Sequence, residues 1–303
     1  MLNPFFKSED RKFFLAQGDC IEQMRTLNFS FEMIFADPPY FLSNDGISCQ
    51  AGKVVSVNKG DWDKSAGRER DEQFTREWLT EARRLLETTG TIWICGSMHN
   101  IFSIAQTLDE LGFKILNIIT WAKTNPPPNI ACRCFTHSTE FVIWAKKSAK
   151  ARHFFNYELM KKINGGKQMR DLWTLPAVTA PERSCGKHPT QKPLALVARA
   201  IAAATLERDW ILDPFCGSAT TGIAANLLNR RFLGIEQETE FLKLSQARKH
   251  EIEDFAAFTR LRNRLGIPRE DIPAETPLVL SLEEETSRER ANDADPDSRG
   301  FPF

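Results

Sequence analysis

The sequence of 303 residues lacks the features that mark secreted, membrane-spanning and disulfide-stabilised proteins. Its seven cysteines are odd in number and form no C-x-x-C pair, which argues against a disulfide framework and a zinc site. The first eleven residues contain no apolar core of a signal peptide, and no apolar run approaches the roughly 20 residues of a membrane span. We therefore predict a cytoplasmic protein that holds no metal.

The chain also lacks net charge, because 40 basic residues balance 40 acidic ones. The balance is uneven: residues 121–192 contain 13 lysines and arginines against 4 aspartates and glutamates, so this segment carries +9 and the remainder −9. Aromatic side chains are interleaved with the basic groups, a composition that suits a nucleic-acid surface. The alternative is a solvated insertion that is basic by accident.

Apolar runs of strand length alternate with segments of helical periodicity, which predicts a doubly wound α/β fold with a mostly parallel sheet. Cys132 and Cys134 lie two residues apart, as neighbours on one strand face do, and are expected in the core. Residues 41–66 are expected to form a long binding loop or a plain surface insertion, and residues 146–190 to be mostly irregular. The predicted strands are 12–17, 31–36, 91–95, 115–121, 139–145, 210–212 and 231–236, and the predicted helices are 21–27, 71–87, 101–111, 193–205, 223–228 and 239–258.

One apolar strand is ended by Asp37-Pro38-Pro39-Tyr40, because a proline has no N–H with which to continue a ladder. The turn presents a carboxylate, two carbonyls and an aromatic ring. These groups suit a planar molecule with an amino substituent: Asp37 and the Pro38 carbonyl would accept the amino hydrogens, and Tyr40 would stack on the ring. The alternative is an ordinary turn that ends a strand.

Another buried strand runs into Asp213-Pro214-Phe215-Cys216-Gly217-Ser218-Ala219-Thr220-Thr221, and the strand after the next helix ends in Glu236. This pattern is the nucleotide-binding half of a Rossmann-type fold, in which small residues admit a ligand and the distal acid binds ribose hydroxyls. The loop is not G-x-G-x-x-G, and Asp213 would repel phosphate and attract an ammonium group. An adenosyl amino acid therefore fits better than NAD or ATP, with a tight strand–helix turn as the alternative.

In a doubly wound sheet both turns would lie at the carboxyl ends of adjacent central strands. That arrangement would place a methyl donor beside a clamp for an amino group.

Four motifs occur in the order typical of a known family: residues 37–40, 96–100, 186–193 and 213–221. Over residues 12–255 the sequence resembles the amino-methylating DNA methyltransferases of the β-class, adenine-N6 type, whose motif order is circularly permuted. In finer detail, residues 41–44, 54–64 and 123–129 resemble those of small enzymes from GATC restriction–modification systems.

The resemblance implies a site-specific DNA adenine-N6 methyltransferase that transfers a methyl group from S-adenosylmethionine to a flipped-out adenine, with GATC as the expected site. Direct in-line transfer needs orientation and polarisation of the amine, and neither metal nor covalent nucleophile. The implied partner is duplex DNA, with single-stranded DNA and a homodimer left open and no membrane. The implied catalytic residues are Asp37, Pro38, Pro39 and Tyr40, and the implied cofactor-binding residues are Asp19, Cys20, Gln191, Lys192, Asp213, Phe215, Gly217, Ser218, Thr220 and Glu236.

One departure concerns Ala219, where the family usually has glycine. The extra methyl group would crowd the donor or demand a helix-compatible φ, and so bears on cofactor affinity. Three other readings stay open: a cytosine-N4 methyltransferase, a catalytically silent DNA-binding relative, and a methyltransferase directed at RNA or protein.

The chain is expected to divide into two halves of one methyltransferase domain, 12–124 and 187–258, around a basic target-recognition segment, 125–186. Residues 259–303 are expected to form a flexible tail, which is acidic towards its end.

Overall fold

The computed structural model describes residues 2–42, 47–50, 53–56, 60, 63–129 and 132–268. Nine strands of this part of the chain form one sheet in the order β1-β2-β11-β10-β3-β6-β8-β7-β9, and β4 pairs with β5 in a separate hairpin. The strands are β1 Pro4–Lys7, β2 Phe13–Gln17, β3 Phe31–Ala36, β4 Ile47–Gln50, β5 Lys53–Ser56, β6 Leu86–Gly96, β7 Lys114–Lys123, β8 Thr139–Lys146, β9 Leu172–Leu175, β10 Trp210–Asp213 and β11 Arg231–Glu236.

Helices cover both faces of the sheet, so the central strands are buried on both sides. Neighbouring strand residues point to opposite faces: Met33 and Phe35 belong to one core cluster, and Ile34 and Ala36 to the other. The helices are α1 Cys20–Thr26, α2 Arg68–Leu85, α3 Ile101–Glu110, α4 Tyr157–Ile163, α5 Leu194–Ala204, α6 Thr220–Leu227, α7 Thr239–Glu251 and α8 Phe255–Arg264. The first three contribute to one cluster and the last five to the other, which gives three layers.

Seven of the nine strands run in the same direction, and only β1 and β8 oppose them. The carboxyl ends of the parallel strands therefore share one edge of the sheet, called here the carboxyl edge. β3 and β10 are direct neighbours, with Met33 opposite Ile211. The two turns singled out in the sequence thus begin side by side, although about 175 residues separate them in the chain.

One predicted boundary that differs from the structure is the end of α2. The sequence indicated a helix to residue 87 that Gly90 ends, but α2 ends at Leu85 and β6 starts at Leu86. Leu86 is buried and pairs with Phe31 of β3, so sheet pairing takes these residues from the helix.

Residues 146–190 are more regular than predicted. They contain α4, whose Asn156 side chain accepts a hydrogen bond from the N–H of Leu159, and β9, which extends the sheet parallel to β7. The core position predicted for Cys132 and Cys134 is wrong. Both thiols are exposed, because β7 ends at Lys123 and the chain leaves the sheet until β8.

The predicted helix over 239–258 consists of two helices. α7 ends at Glu251, and Asp254 starts α8 by accepting a hydrogen bond from the N–H of Ala257 at 2.8 Å. Leu261 and Leu265 are buried, so residues 259–268, which the sequence assigned to the tail, pack on the core. The rest of the predicted tail, and much of the predicted loop 41–66, lie outside the described residues.

Candidate active site

The turn after β3 is held by a carboxylate from the following loop. The side chain of Asp63 is buried, and its Oδ1 accepts hydrogen bonds from the N–H groups of Tyr40 at 2.9 Å and Phe41 at 3.0 Å. The Tyr40 hydroxyl donates to Asp37 Oδ1 at 3.1 Å. Pro38 and Pro39 have no N–H groups, so neither residue adds a backbone donor to this turn.

A lysine from the loop before α5 completes the clamp. Lys192 Nζ donates to Asp37 Oδ2 at 2.5 Å and lies 5.1 Å from the centroid of the Tyr40 ring. It also lies 3.8 Å from Glu140 Oε2, while Glu140 Oε1 accepts from Lys123 Nζ at 2.5 Å. Two ammonium groups and two carboxylates therefore alternate from the end of β7 to the clamp.

Burial acts on both ends of the ion pair. Burial raises the pKa of the Asp37 carboxyl, and the Lys192 ammonium opposes that shift. Burial alone would lower the pKa of Lys192, but the carboxylates of Asp37 and Glu140 outweigh it and raise that pKa above its ordinary value. Lys192 is accordingly a permanent cation at neutral pH.

The loop after β10 is held in place by Asp213, the last residue of that strand. Asp213 is 3% exposed, and it accepts hydrogen bonds from the N–H of Phe215 at 3.0 Å and the hydroxyl of Thr221 at 2.5 Å. Burial raises the pKa of Asp213 to about 7, against these hydrogen bonds. Asp213 is therefore a loop anchor as well as the acid that the sequence placed at the mouth of the site.

Glu236 joins the next strand end to the same loop. One carboxylate oxygen accepts from the N–H of Gly217 at 2.9 Å, and the other from the N–H groups of Gln237 and Glu238 at 2.8 and 2.9 Å. A carboxylate offers about four lone-pair positions, so Glu236 still has capacity for a ligand hydroxyl.

Two residues of the loop have left-handed backbone. Gly217 has a φ of +50°, and a Cβ added there would lie 3.0 Å from His188 Nε2. Ala219 has a φ of 52° and a ψ of 40° and is completely buried. Ala219, the departure from the family pattern, therefore has a strained backbone, since residues other than glycine, asparagine and aspartate seldom adopt this conformation. From the other side, Arg248 donates to the carbonyl of Ser218 at 2.5 Å and to the hydroxyl of Thr220 at 3.0 Å.

One cavity of about 280 Å³ joins the two turns. Three of the sequence-predicted site residues do not line it: Pro38 and Tyr40 belong to the same turn as Asp37, and Asp19 caps α1 and accepts from Gln237 Nε2 at 3.3 Å. The predicted residues that line it are Cys20, Asp37, Pro39, Gln191, Lys192, Asp213, Phe215, Gly217, Ser218, Thr220 and Glu236.

The cavity is rich in acceptors. Gln191 Nε2 donates to the carbonyl of Glu182 at 2.9 Å, while its Oε1 is buried and accepts no hydrogen bond from the described part of the chain. With Asp213 and Glu236 it forms a set of oxygens suited to an ammonium group and to hydroxyls. S-adenosylmethionine, which carries both together with a sulfonium charge, fits this set.

Sequence reasoning missed four residues of the site: Asp63, Glu140, His188 and Arg248. His188 lies within a motif quoted from the sequence, but no role was assigned to it. Burial lowers the pKa of His188 to about 4, assisted by Lys192 and Arg248, so the ring is neutral beside the cavity. Nothing in the spacing of Asp63 or Glu140 distinguishes them from other acids.

The sequence and the fold are similar to those of known proteins. The family described as DNA methylase matches residues 31–247. The type II methyltransferase M2.MboI of Moraxella bovis is 56% identical over 252 residues, which are 83% of this chain and 92% of that protein.

Two solved structures extend the comparison. The M1.HpyAVI–SAM complex has 32% identity and a TM-score of 0.60, with 78% of this chain and 98% of that chain covered. The PvuII DNA methyltransferase, described as cytosine-N4-specific, has a TM-score of 0.65 at 17% identity, with 88% and 95% covered, and shows likeness in fold alone.

The fold and the cavity define a Rossmann-like methyltransferase in which the turn after β3 precedes the loop after β10 in the chain. The chain belongs to the DNA methylase family. The predicted family, doubly wound fold, S-adenosylmethionine cofactor and DNA methyltransferase activity are confirmed. In the described residues no helix is long and apolar enough to span a membrane, and no group of three acidic, histidine or cysteine side chains is arranged to hold a metal.

Proposed function

We propose that this DNA methyltransferase modifies the N6 amino group of adenine, within the sequence GATC. One observation carries the choice of an exocyclic amine: Asp37 and Pro39 share a cavity with Asp213 and Glu236. The GATC site rests on the likeness of residues 41–44, 54–64 and 123–129 to those of small enzymes of GATC systems.

The residues of the first turn hold the target base. Asp37 accepts one N6 hydrogen, the Pro38 carbonyl accepts the other, and Tyr40 stacks on the ring. Acceptors on both N6 hydrogens would hold the amine in place and increase the electron density on its nitrogen, which favours attack on a methyl group. The amine is hydrogen-bonded inside a duplex, so the adenine must leave the helix, at a cost of a few kcal/mol.

The residues of the second turn hold the cofactor, which supplies the methyl group when bound. Glu236 accepts from the ribose hydroxyls, Asp213 and Gln191 accept from the ammonium group, and Asp19 and Cys20 lie at the adenine end. Phe215, Gly217, Ser218 and Thr220 shape the wall. Neutral His188 adds no positive charge beside a sulfonium group.

The segment 125–186 is proposed to recognise DNA, between the sheet halves 12–124 and 187–258. Its first loop, residues 124–138, leaves the carboxyl edge between β7 and β8, where Lys123 pairs with Glu140. Arg133 and the 96%-exposed Phe135 extend from this loop. A cation and an unburied ring in a loop at the carboxyl edge suit contact with phosphate and bases.

Single-stranded DNA as a second substrate, a homodimer and a cytoplasmic site of action remain parts of the proposal. The cavity accepts an extruded base whether or not a complementary strand is present.

A cytosine-N4 methyltransferase is the second candidate, because the PvuII enzyme has the same fold and cytosine presents the same kind of amine. The deciding experiment treats duplexes that contain GATC, and matched duplexes with GTAC in its place, with enzyme and cofactor. Nucleoside mass spectrometry should find N6-methyladenine in the GATC duplex alone. N4-methylcytosine would overturn the base assignment, and equal methylation of both duplexes would overturn the site.

A further inference from the structure

Lys192 contacts a residue of the first turn that its motif did not indicate. The sequence placed it at the methionine end of the cofactor, whereas its Nζ forms a 2.5 Å hydrogen bond with Asp37 Oδ2. The side chains of Lys192 and Asp37 are only 9% and 18% exposed, so this is a largely desolvated contact. Such a contact has a strong effect on whether the carboxylate is ionised.

The ammonium group also lies beside the ring on which the base is proposed to stack. It lies 5.1 Å from the centroid of the Tyr40 ring while it contacts Asp37. The proposed adenine would use the same carboxylate and the same ring. An amine entering the clamp must therefore compete with Lys192 for Asp37.

A second acceptor is already in place for the displaced ammonium group. Glu140 Oε2 lies 3.8 Å from Lys192 Nζ and is the next group to it in the alternating row of charges. A small rotation of the lysine side chain exchanges one carboxylate for the other, so the cation need not enter water.

Resting on the proposed function, we propose that Lys192 is a positioning residue for the amino clamp. It keeps Asp37 ionised and correctly oriented until the target amine arrives, and then moves towards Glu140. Asp37 thus meets the base as a carboxylate that accepts hydrogen bonds, even though it is buried.

The proposal predicts opposite effects from the two neighbours of Asp37. Lys192 favours the ionised form, and Glu140 disfavours it by like-charge repulsion. Other groups facing the clamp keep their influence in both variants. The titratable and charged groups around Asp37 and Lys192 are Tyr40 on the same turn, Cys95 on β6, Glu140 on β8, His188 in the loop before α5 and Asp213 on β10.

The experiment measures the pH dependence of single-turnover methyl transfer to a GATC duplex at saturating cofactor. In Lys192→Met the acid limb should move up by about one pH unit or more, so that activity falls on the acid side and recovers in alkali. In Glu140→Gln the limb should move down. Lys192→Arg, which retains the charge, should restore the wild-type limb.

Two controls separate this role from others. Lys249→Met removes another buried lysine, which pairs with Asp10 and Glu253 far from the clamp, and should leave the profile unchanged. Calorimetry should show that Lys192→Met binds S-adenosylmethionine within about threefold of wild type.

A uniform loss of rate at every pH, or a loss of cofactor affinity with an unmoved limb, would overturn the proposal. An unmoved limb in Glu140→Gln would do so even if Lys192→Met did not fold. Any methylated nucleoside serves as the readout, so a product other than N6-methyladenine would refute the proposed function and still test Lys192.

Discussion

Single residues determine how the cofactor side of the cavity is charged. Asp213 is buried, and burial raises its pKa to about 7, while His188 stays neutral because its pKa is lowered to about 4. The cavity therefore gains a negative charge as pH rises through neutrality, without an opposing charge from the histidine.

This assignment predicts a pH-dependent affinity for S-adenosylmethionine. An ammonium group prefers the ionised Asp213, so the affinity should weaken by up to about tenfold for each pH unit below 7. Calorimetric titration from pH 5.5 to 8.5 measures it, and Asp213→Asn should remove the dependence. An affinity that is constant across this range would show that Asp213 does not face the cofactor amine.

The left-handed conformation of Ala219 leads to a second prediction about a single residue. Ala219→Gly relieves a left-handed alanine worth about 1–2 kcal/mol, but loses burial of a methyl group worth about 0.8 kcal/mol. The net change in the free energy of unfolding should be within about 1 kcal/mol of zero.

The matched control is Ala198→Gly in the middle of α5, where both terms have the same sign and the cost should be about 2 kcal/mol. Urea denaturation compares the two variants. Equal costs would contradict the left-handed conformation at Ala219.

At the scale of elements, the turn after β3 depends on a residue outside it. Asp63 accepts the N–H groups of both Tyr40 and Phe41, so it fixes the direction in which the chain leaves the prolines. The position of Tyr40 in the turn is thus set by Asp63, a loop residue more than 20 positions further along the chain.

We expect Asp63→Ala to leave two buried N–H groups without their acceptor, and to slow single-turnover transfer by about tenfold or more through misplacement of Tyr40. Asp63→Asn, which keeps an acceptor oxygen, should be milder. Asp109→Ala, at an exposed site in α3, is the control. If Asp63→Ala transferred methyl at the wild-type rate, the turn would not need this anchor.

Elements and their order were largely predictable, and the contacts between them were not. β3 and β10 could be placed side by side because buried apolar runs and the crossover rule constrain parallel strands. The Lys192–Asp37 pair joins residues 155 positions apart, and no periodicity relates them. The boundary between α2 and β6 was misplaced because pairing of Leu86 with Phe31 overrides a local helical pattern.

At the scale of the whole molecule, the cations of the basic segment lie near two different edges of the sheet. The loop 124–138 lies at the carboxyl edge. The start of α4 lies near the opposite edge, because the N–H of Asn156 donates to the carbonyl of Ala203 at the end of α5, just before β10. Lys162 lies in α4, a few residues after this hydrogen bond.

We therefore expect Arg133 to matter more for DNA than Lys162, although both are exposed cations of the basic segment. Arg133→Ala should weaken DNA binding and reduce the slope of log affinity against log salt by about 1, whereas Lys162→Ala should change it little. Fluorescence anisotropy across a salt series measures the slopes. A larger change for Lys162→Ala would move the DNA surface to α4.

The central claim is that one cavity holds the methyl donor and the clamp for its acceptor as separable parts. Its most direct test compares wild type with Asp37→Ala, using labelled S-adenosylmethionine, nucleoside mass spectrometry and calorimetry on the same samples. We predict labelled N6-methyladenine from wild type and none from Asp37→Ala, with cofactor affinities that agree within about threefold. Methyl transfer by Asp37→Ala, or loss of cofactor binding together with activity, would contradict the account.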